Sequence, residues 1–91
     1  MISVAITTFN RADIVGRAIR SALAFIHSME GQVILVDDGS RDDTETKIAK
    51  DFSEDIRSGR LTFIRHTQNA GVTAAKNTAF ASSPSTWVLF L

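Results

Sequence analysis

Gln32-Val33-Ile34-Leu35-Val36-Asp37-Asp38-Gly39-Ser40 is the run that decides the fold. Its apolar, β-branched half gives way without transition to two carboxylates, a glycine and a hydroxyl. Val33 to Val36 are consecutive apolar residues, the pattern of a strand covered on both faces, as in a parallel sheet. Asp37 and Asp38 then stand where that strand emerges. The carboxyl ends of parallel strands are where open α/β sheets bind ligands, so the run predicts a ligand edge.

The flanking segments repeat one unit. Upstream, Ile2 to Thr7 predicts a first strand and Thr8-Phe9-Asn10 the turn after it. Asn10 suits an N-cap, with Asp13 three residues on as its capping-box partner. A first helix is predicted from about Ala12 to His27, because Val15, Ala18, Ile19, Ala22, Leu23 and Ile26 form one apolar stripe while Arg17 and Arg20 lie off it. Glu30-Gly31 closes this unit. Downstream, Ser40 reads as a second N-cap, with Asp43 at N3 and Asp42 also in the first turn, where carboxylates complement the helix dipole. The second helix, about Asp42 to Ile56, carries Ile48, Ala49, Phe52 and Ile56 on one face, and Ser58-Gly59 breaks it.

Leu61 to Arg65 alternates, with Leu61, Phe63 and Arg65 set against Thr62 and Ile64, which suits an edge strand. After the loop His66 to Asn69, a third helix from about Gly71 to Ala81 turns Val72, Ala75 and Ala79 toward the sheet. Ser82 to Ser85 with Pro84 is a turn, and Thr86 to Leu91 a fourth, buried strand. The order predicts an α/β fold, a Rossmann-like three-layer sandwich on a mostly parallel four-stranded sheet built from right-handed βαβ units.

Bulk composition narrows the function classes. A chain of 91 residues makes one small domain, burying roughly 60–65% of its unfolded surface. Ten basic and ten acidic residues cancel, which leaves no footprint for nucleic acid or an anionic membrane. The absence of cysteine excludes a disulfide framework, a thiolate metal site and a thiol nucleophile. It fits a reducing compartment, so the expected location is cytoplasmic, at most peripheral at the inner membrane face. No apolar run approaches the roughly 20 residues of a membrane span, and the Met1 to Ile6 start lacks the basic n-region of a signal peptide. The last residues, Trp87-Val88-Leu89-Phe90-Leu91, fall inside a predicted strand. The expectation is a single domain, residues 1–91, belonging to a longer enzyme, with homo-oligomer formation through the apolar C-terminal strand.

Several signatures fail. The turn after the first strand is Thr-Thr-Phe-Asn-Arg-Ala, not a Gly-x-Gly-x-x-Gly, and no Gly-x-x-x-x-Gly-Lys-Ser/Thr occurs. Haloacid dehalogenase phosphatases would need their nucleophile at Val36. Response-regulator receivers would need the acidic pair after the first strand and an aspartate after the third, where Arg65-His66 stands.

Three motifs remain: Ser-Val-Ala-Ile-Thr-Thr-Phe-Asn-Arg at 3–11, Val-Asp-Asp-Gly-Ser-x-Asp-x-Thr at 36–44 and Asn-x-Gly-x-x-x-Ala-Lys-Asn at 69–77. In this order and spacing the chain resembles the N-terminal part of the family 2 inverting glycosyltransferases of the A-type fold, over nearly its whole length. The resemblance implies a nucleoside diphosphate sugar as donor, with uracil as base. It makes Asp38 the carboxylate that accepts the imide N–H of the base, a strong charge-assisted acceptor, with Asp37 as support; the alternative is that Asp37 and Asp38 merely lead into the Ser40 cap. Phe9 resembles the family's aromatic beside the base; the alternative is a core phenylalanine at a strand end. Thr7, where many relatives have proline, and Thr8 line the same edge. Asn10 is cap, contact or both, and Arg11 a phosphate contact.

Asn69, Gly71 and Lys76 form the third part. Gly71 lets the backbone approach closely, and Lys76, where relatives often have arginine, offsets diphosphate charge as a point charge, helped by a helix N-terminus. The alternative for Lys76 is a solvated helix lysine. His27 and His66 read as surface or boundary residues. The implied cofactor is Mg²⁺ or Mn²⁺, held by an Asp-x-Asp motif expected just after Leu91, so no catalytic and no metal-ligating residue is assigned within the chain. The implied function is binding of a UDP-sugar for transfer with inversion, as in cell-envelope polysaccharide assembly, with this stretch inactive alone. The alternative is a catalytically silent nucleotide-binding or protein-interaction module.

Overall fold

β2 (Gly31–Asp37) occupies an inner position of a four-stranded sheet, between β1 (Ile2–Thr8) on one side and β3 (Leu61–Arg65) on the other. β4 (Trp87–Phe90) lies on the far side of β1, giving the order β3-β2-β1-β4. The computed structural model describes residues 1–85 and 87–91. Every strand pair among them is parallel, so the sheet is fully rather than mostly parallel. Thr86, assigned above to the fourth strand, lies outside the described residues.

Alternation along the strands separates two apolar layers. Val4 and Ile6 of β1, Val33 and Leu35 of β2 and Leu61 of β3 face α1 (Ala12–Ile26), with Val15, Ile19, Ala22, Leu23 and Ile26. Ile48 of α2 (Thr44–Asp51) and Phe52 complete this layer, with Ile56 of α3 (Ser53–Ser58) packed on its margin. Ala5, Ile34 and Val36 face α4 (Val72–Ser82), through Ala75 and Ala79. Small alanines let α4 sit close to the sheet. Val33 to Val36 are fully buried between the layers, as the apolar run predicts.

Four details differ from the sequence expectation. The second helix is two, broken at Phe52 (φ −122°, ψ 26°). Phe52 buries its ring beside Ile48, while Ala49 is exposed and belongs to no apolar face. Gly59, at φ +84°, ends α3 in the left-handed conformation that the Ser58-Gly59 break implies. Val72 does not turn toward the sheet but is 62% exposed. β4 is an edge and not a buried strand. Among the described residues it pairs with β1 alone, and Trp87 is 70% exposed. Apart from Val88, which packs against the α4 layer, the apolar run at 87–91 therefore marks uncovered surface, a case that composition cannot distinguish from a core strand.

Candidate functional site

The chain order creates the site. From β1 it steps outward to β2 and β3, then returns through α4 to the opposite side of β1. Such a reversal opens a crevice at the carboxyl ends of the strands. A cleft of about 270 Å³ lies there, lined by Thr7, Thr8, Phe9, Arg11, Asp38, Val72 and Ala75. A second, of about 590 Å³, lies beyond Phe9 and takes in Asn10, Gly39, Arg41, Arg65 and Asn69. Phe9 belongs to both and is 41% exposed, which removes the core-phenylalanine alternative.

Asp37 and Asp38 point into different networks, as successive residues at the end of a strand do. Asp37 is wholly buried. Its Oδ1 accepts the Ser40 amide at 3.2 Å and the Ser40 hydroxyl. The Ser40 hydroxyl oxygen accepts in turn from the Asn10 amide at 2.7 Å. Arg65, paired with Asp37 in the β2–β3 register, brings Nε to 3.7 Å of Oδ2 and donates to the Ser40 carbonyl at 3.0 Å. Oδ2 has no hydrogen-bond donor among the described residues, so the Arg65 charge is its compensation.

Asp38 faces the other way, toward the 66–71 loop. Oδ1 accepts from the Ala70 amide and from His66 Nδ1, both at 2.9 Å, and Oδ2 accepts from the Gly71 amide at 2.9 Å. Burial alone would raise this carboxyl. The Ala70 amide, the His66 ring and the Gly71 amide outweigh that effect and hold it below the ordinary carboxylate range. A depressed carboxyl contributes stability that is complete above its unfolded value, about 3.9, and is lost as pH falls through the lower folded value. The Ala70 and Gly71 amide resonances in NMR should therefore titrate together, with a midpoint below about 3.9. A midpoint above it would refute this balance.

The capping expectations need correction. Asn10 is not an N-cap: it sits at φ +52°, a conformation asparagine tolerates better than most residues. Its side chain accepts from the Arg41 amide at 2.8 Å, so it ties the β1 loop to the β2 loop. Ser40 is not a cap either, since its hydroxyl belongs to Asp37. Asp42 takes the role for both helices. Oδ2 accepts from the Ala12 amide at 3.2 Å, at the start of α1, and Oδ1 from the Thr44 amide at 3.0 Å, at the start of α2. The Thr44 hydroxyl bond is the main reason that the Asp42 carboxyl is lowered.

The third motif divides. Gly71 adopts φ +96°, and no atom of the chain lies within 4 Å of where a Cβ would stand, so within the chain it is needed for its conformation. Close approach of one segment of the chain to another belongs to Gly39. Asn69 accepts the Gly71 amide at 3.1 Å and borders the second cleft. Lys76 lines neither cleft; its Nζ lies 5.8 Å from the centre of the Phe90 ring. His66 is a boundary residue, 20% exposed, yet it is bonded through both ring nitrogens, to Asp38 at 2.9 Å and to Thr78 at 2.8 Å. Sequence reasoning passed over Arg65 and His66, although a β3 placed beside β2 sets both against the acidic pair.

Among the described residues no group of three or more His, Cys, Asp or Glu side chains is placed to hold a metal ion, and Asp37 and Asp38 are engaged by protein donors. The residues present do not fit a divalent-metal centre. No helix among the described residues is long and apolar enough to cross a membrane.

Comparison with known proteins gives the arrangement its family. The sequence profile described as Glycosyl transferase family 2 matches residues 3–91. The succinoglycan biosynthesis protein ExoU of Rhizobium meliloti (strain 1021) is 39% identical over 84 residues, covering 92% of this chain and 23% of that protein. Among solved structures, S. aureus TarS 1-349 superposes with a TM-score of 0.73 at 26% identity, over 99% of this chain and 26% of TarS. The mannosyltransferase PcManGT from Pyrobaculum calidifontis, in complex with GDP-Man and Mn²⁺, gives 0.67 at 25% identity, over 90% and 24%. TarS 1-349 in complex with UDP has the same fold, at a TM-score of 0.67. The chain thus spans about a quarter of the length of the proteins it matches. With the profile running over residues 3–91, the chain belongs to glycosyl transferase family 2.

Proposed function

We propose that residues 1–91 are the nucleotide-sugar-binding N-terminal part of an inverting glycosyltransferase whose donor is a UDP-sugar. The carrying observation is Asp38, an ionised carboxylate on the wall of the cleft where the strand order reverses. The uracil imide N–H finds its acceptor there, Phe9 offers a ring face for the base, and Arg11 lines the same cleft for phosphate. Thr7 and Thr8 close the floor. Support comes from relatives solved with UDP and with GDP-Man. The divalent metal, Mg²⁺ or Mn²⁺, and the general base are assigned to parts of the enzyme other than these residues. The role left to residues 1–91 is to hold and orient the donor. A cytoplasmic compartment fits the cysteine-free chain.

Titration calorimetry tests the reading through base chemistry. Uracil presents N–H where cytosine presents a lone pair, and a carboxylate repels a lone pair. UDP should bind more tightly than CDP by at least about tenfold, since a buried polar group is left unpaired in the wrong complex. Asp38→Ala should abolish UDP binding. Equal affinity for the two nucleotides, or an unaffected variant, would refute the base-recognition role.

The uncovered edge supports self-association as a property of these residues. Trp87, Leu89, Phe90 and Leu91 of the β4 edge, with Phe80 of α4, are exposed, and nothing charged interrupts 87–91. Sedimentation velocity should show a concentration-dependent dimer that Leu89→Lys reduces. A monomer at high concentration would remove this expectation.

A further inference from the structure

The partners of Asp38 are unevenly divided between its oxygens. Oδ1 accepts from the Ala70 amide and from His66 Nδ1, whereas Oδ2 accepts from the Gly71 amide alone among the described residues. A carboxylate oxygen offers about two acceptor positions. Oδ1 is therefore full, and Oδ2 keeps one position for a ligand.

His66 is what fills the second position on Oδ1. Its amide donates to the Asp37 carbonyl at 2.8 Å, which delivers the ring from the end of β3 to the end of β2. The side chain is 20% exposed. On its other edge, Nε2 meets the Thr78 hydroxyl at 2.8 Å, and that hydroxyl lies 3.0 Å from the Ala74 carbonyl within α4. An ionised carboxylate accepts and never donates, so the proton of the His66–Asp38 bond sits on Nδ1. In the neutral ring Nε2 then accepts the Thr78 proton. In the imidazolium it donates, and Thr78 keeps its bond to Ala74. Both arrangements leave Nδ1–H on Asp38.

We propose that His66 is a positioning residue for nucleotide recognition: its Nδ1–H saturates Asp38 Oδ1 and leaves Oδ2 as the oxygen that accepts from the base. This rests on the reading of Asp38 as the base-recognition group. Two backbone amides alone, one on each oxygen, leave a second acceptor position open on both, so either oxygen is free to accept from the base. His66 removes that freedom. Through Thr78 it also ties the carboxylate to α4, whose Val72 and Ala75 form the facing wall of the cleft.

The test uses the 91-residue chain, ¹⁵N-labelled, with UDP as probe. Long-range ¹H–¹⁵N spectra at the alkaline end of a titration should show neutral His66 protonated on Nδ1, with His27 as the exposed reference. His66→Phe, which keeps a ring but no donor, should weaken UDP about tenfold or more, the loss expected for a hydrogen bond to a charged group. His66→Asn, which can place an amide donor near the Nδ1 position, should recover most of that loss. An Nε2–H ring in His66, or a His66→Phe chain that binds UDP as the unaltered chain does, overturns the proposal while leaving the role of Asp38 intact. Failure of the unaltered chain to bind UDP, or full binding by Asp38→Ala, overturns the nucleotide reading and this proposal with it.

Discussion

Gly39→Ala should destabilise the chain by about 3 kcal/mol or more, a fall in Tm on the order of 10–20 °C for a domain of this size. Two costs add. Gly39 sits at φ +80°, where an L side chain costs about 1–2 kcal/mol. A Cβ there would also stand 2.7 Å from the Asn69 amide nitrogen and 2.8 Å from the Gln68 carbonyl carbon. Both are backbone atoms, so no rotamer change relieves the clash and the 66–71 loop must move. Gly59→Ala and Gly71→Ala separate the costs. Both glycines have positive φ, at +84° and +96°, and neither has an atom within 4 Å of the added carbon. Gly59, in the left-handed conformation, should lose only about 1 kcal/mol, and Gly71, whose ψ of 160° lies in a region nearly reserved for glycine, about 1–3 kcal/mol from conformation alone. Urea denaturation of the three variants measures the difference. Equal losses at Gly39 and Gly59 would show that the loops are not in contact. The same displacement withdraws the Ala70 and Gly71 amides from Asp38, so UDP binding should fall with stability at Gly39 and not at Gly59.

How much of this was legible in the sequence varies with the range of the interaction that decides each feature. The four strands, the apolar stripe of α1 and the edge character of β3 follow from local periodicity, which the backbone must obey wherever it lies. The end of β2 at Asp37-Asp38 was legible for the same reason, since the apolar run stops at two carboxylates, but that both are buried among protein donors was not. What failed was long-range. Asn10 and Ser40 have the composition of N-caps, but their hydrogen bonds run to each other's loop across the β1–β2 junction. Capping fell instead to Asp42, which serves two helices because those loops meet. Val72 and the 87–91 strand look like core because apolar composition carries no information on what lies opposite. Gly71 and Gly39 could not be told apart as sequence letters. Only the arrival of the 66–71 loop makes Gly39 the position of close approach.

Asp37→Ala should cost about 3 kcal/mol, whereas Asp37→Asn should cost about 1 kcal/mol. The alanine variant leaves the Ser40 amide and hydroxyl without their acceptor in a buried site, and each hydrogen bond to a charged group is worth about 1.5–3 kcal/mol. It also frees the Ser40 hydroxyl that receives the Asn10 amide, so the β1 and β2 loops loosen together. Part of the loss is returned, because a buried charge no longer has to be kept from water. Arg65 contributes little to the difference. Its side chain is 33% exposed and it retains the Ser40 carbonyl at 3.0 Å, so water screens the pair. Asparagine preserves the oxygen that Ser40 needs, and its cost is the lost charge opposite Arg65 together with a buried amide that has no acceptor at the Oδ2 position. Chemical denaturation should order the variants alanine, asparagine, unaltered, from least to most stable; equal effects of alanine and asparagine would mean that charge, not the Ser40 bonds, is what the site requires. Nucleotide binding divides the pair the other way. Asp37→Asn should keep UDP affinity within a few fold once the chain is folded, while Asp38→Asn, which puts an amide donor on a carboxylate serving the cleft, should lose it. Opposite ranking of the two asparagines would transfer base recognition from the second carboxylate to the first.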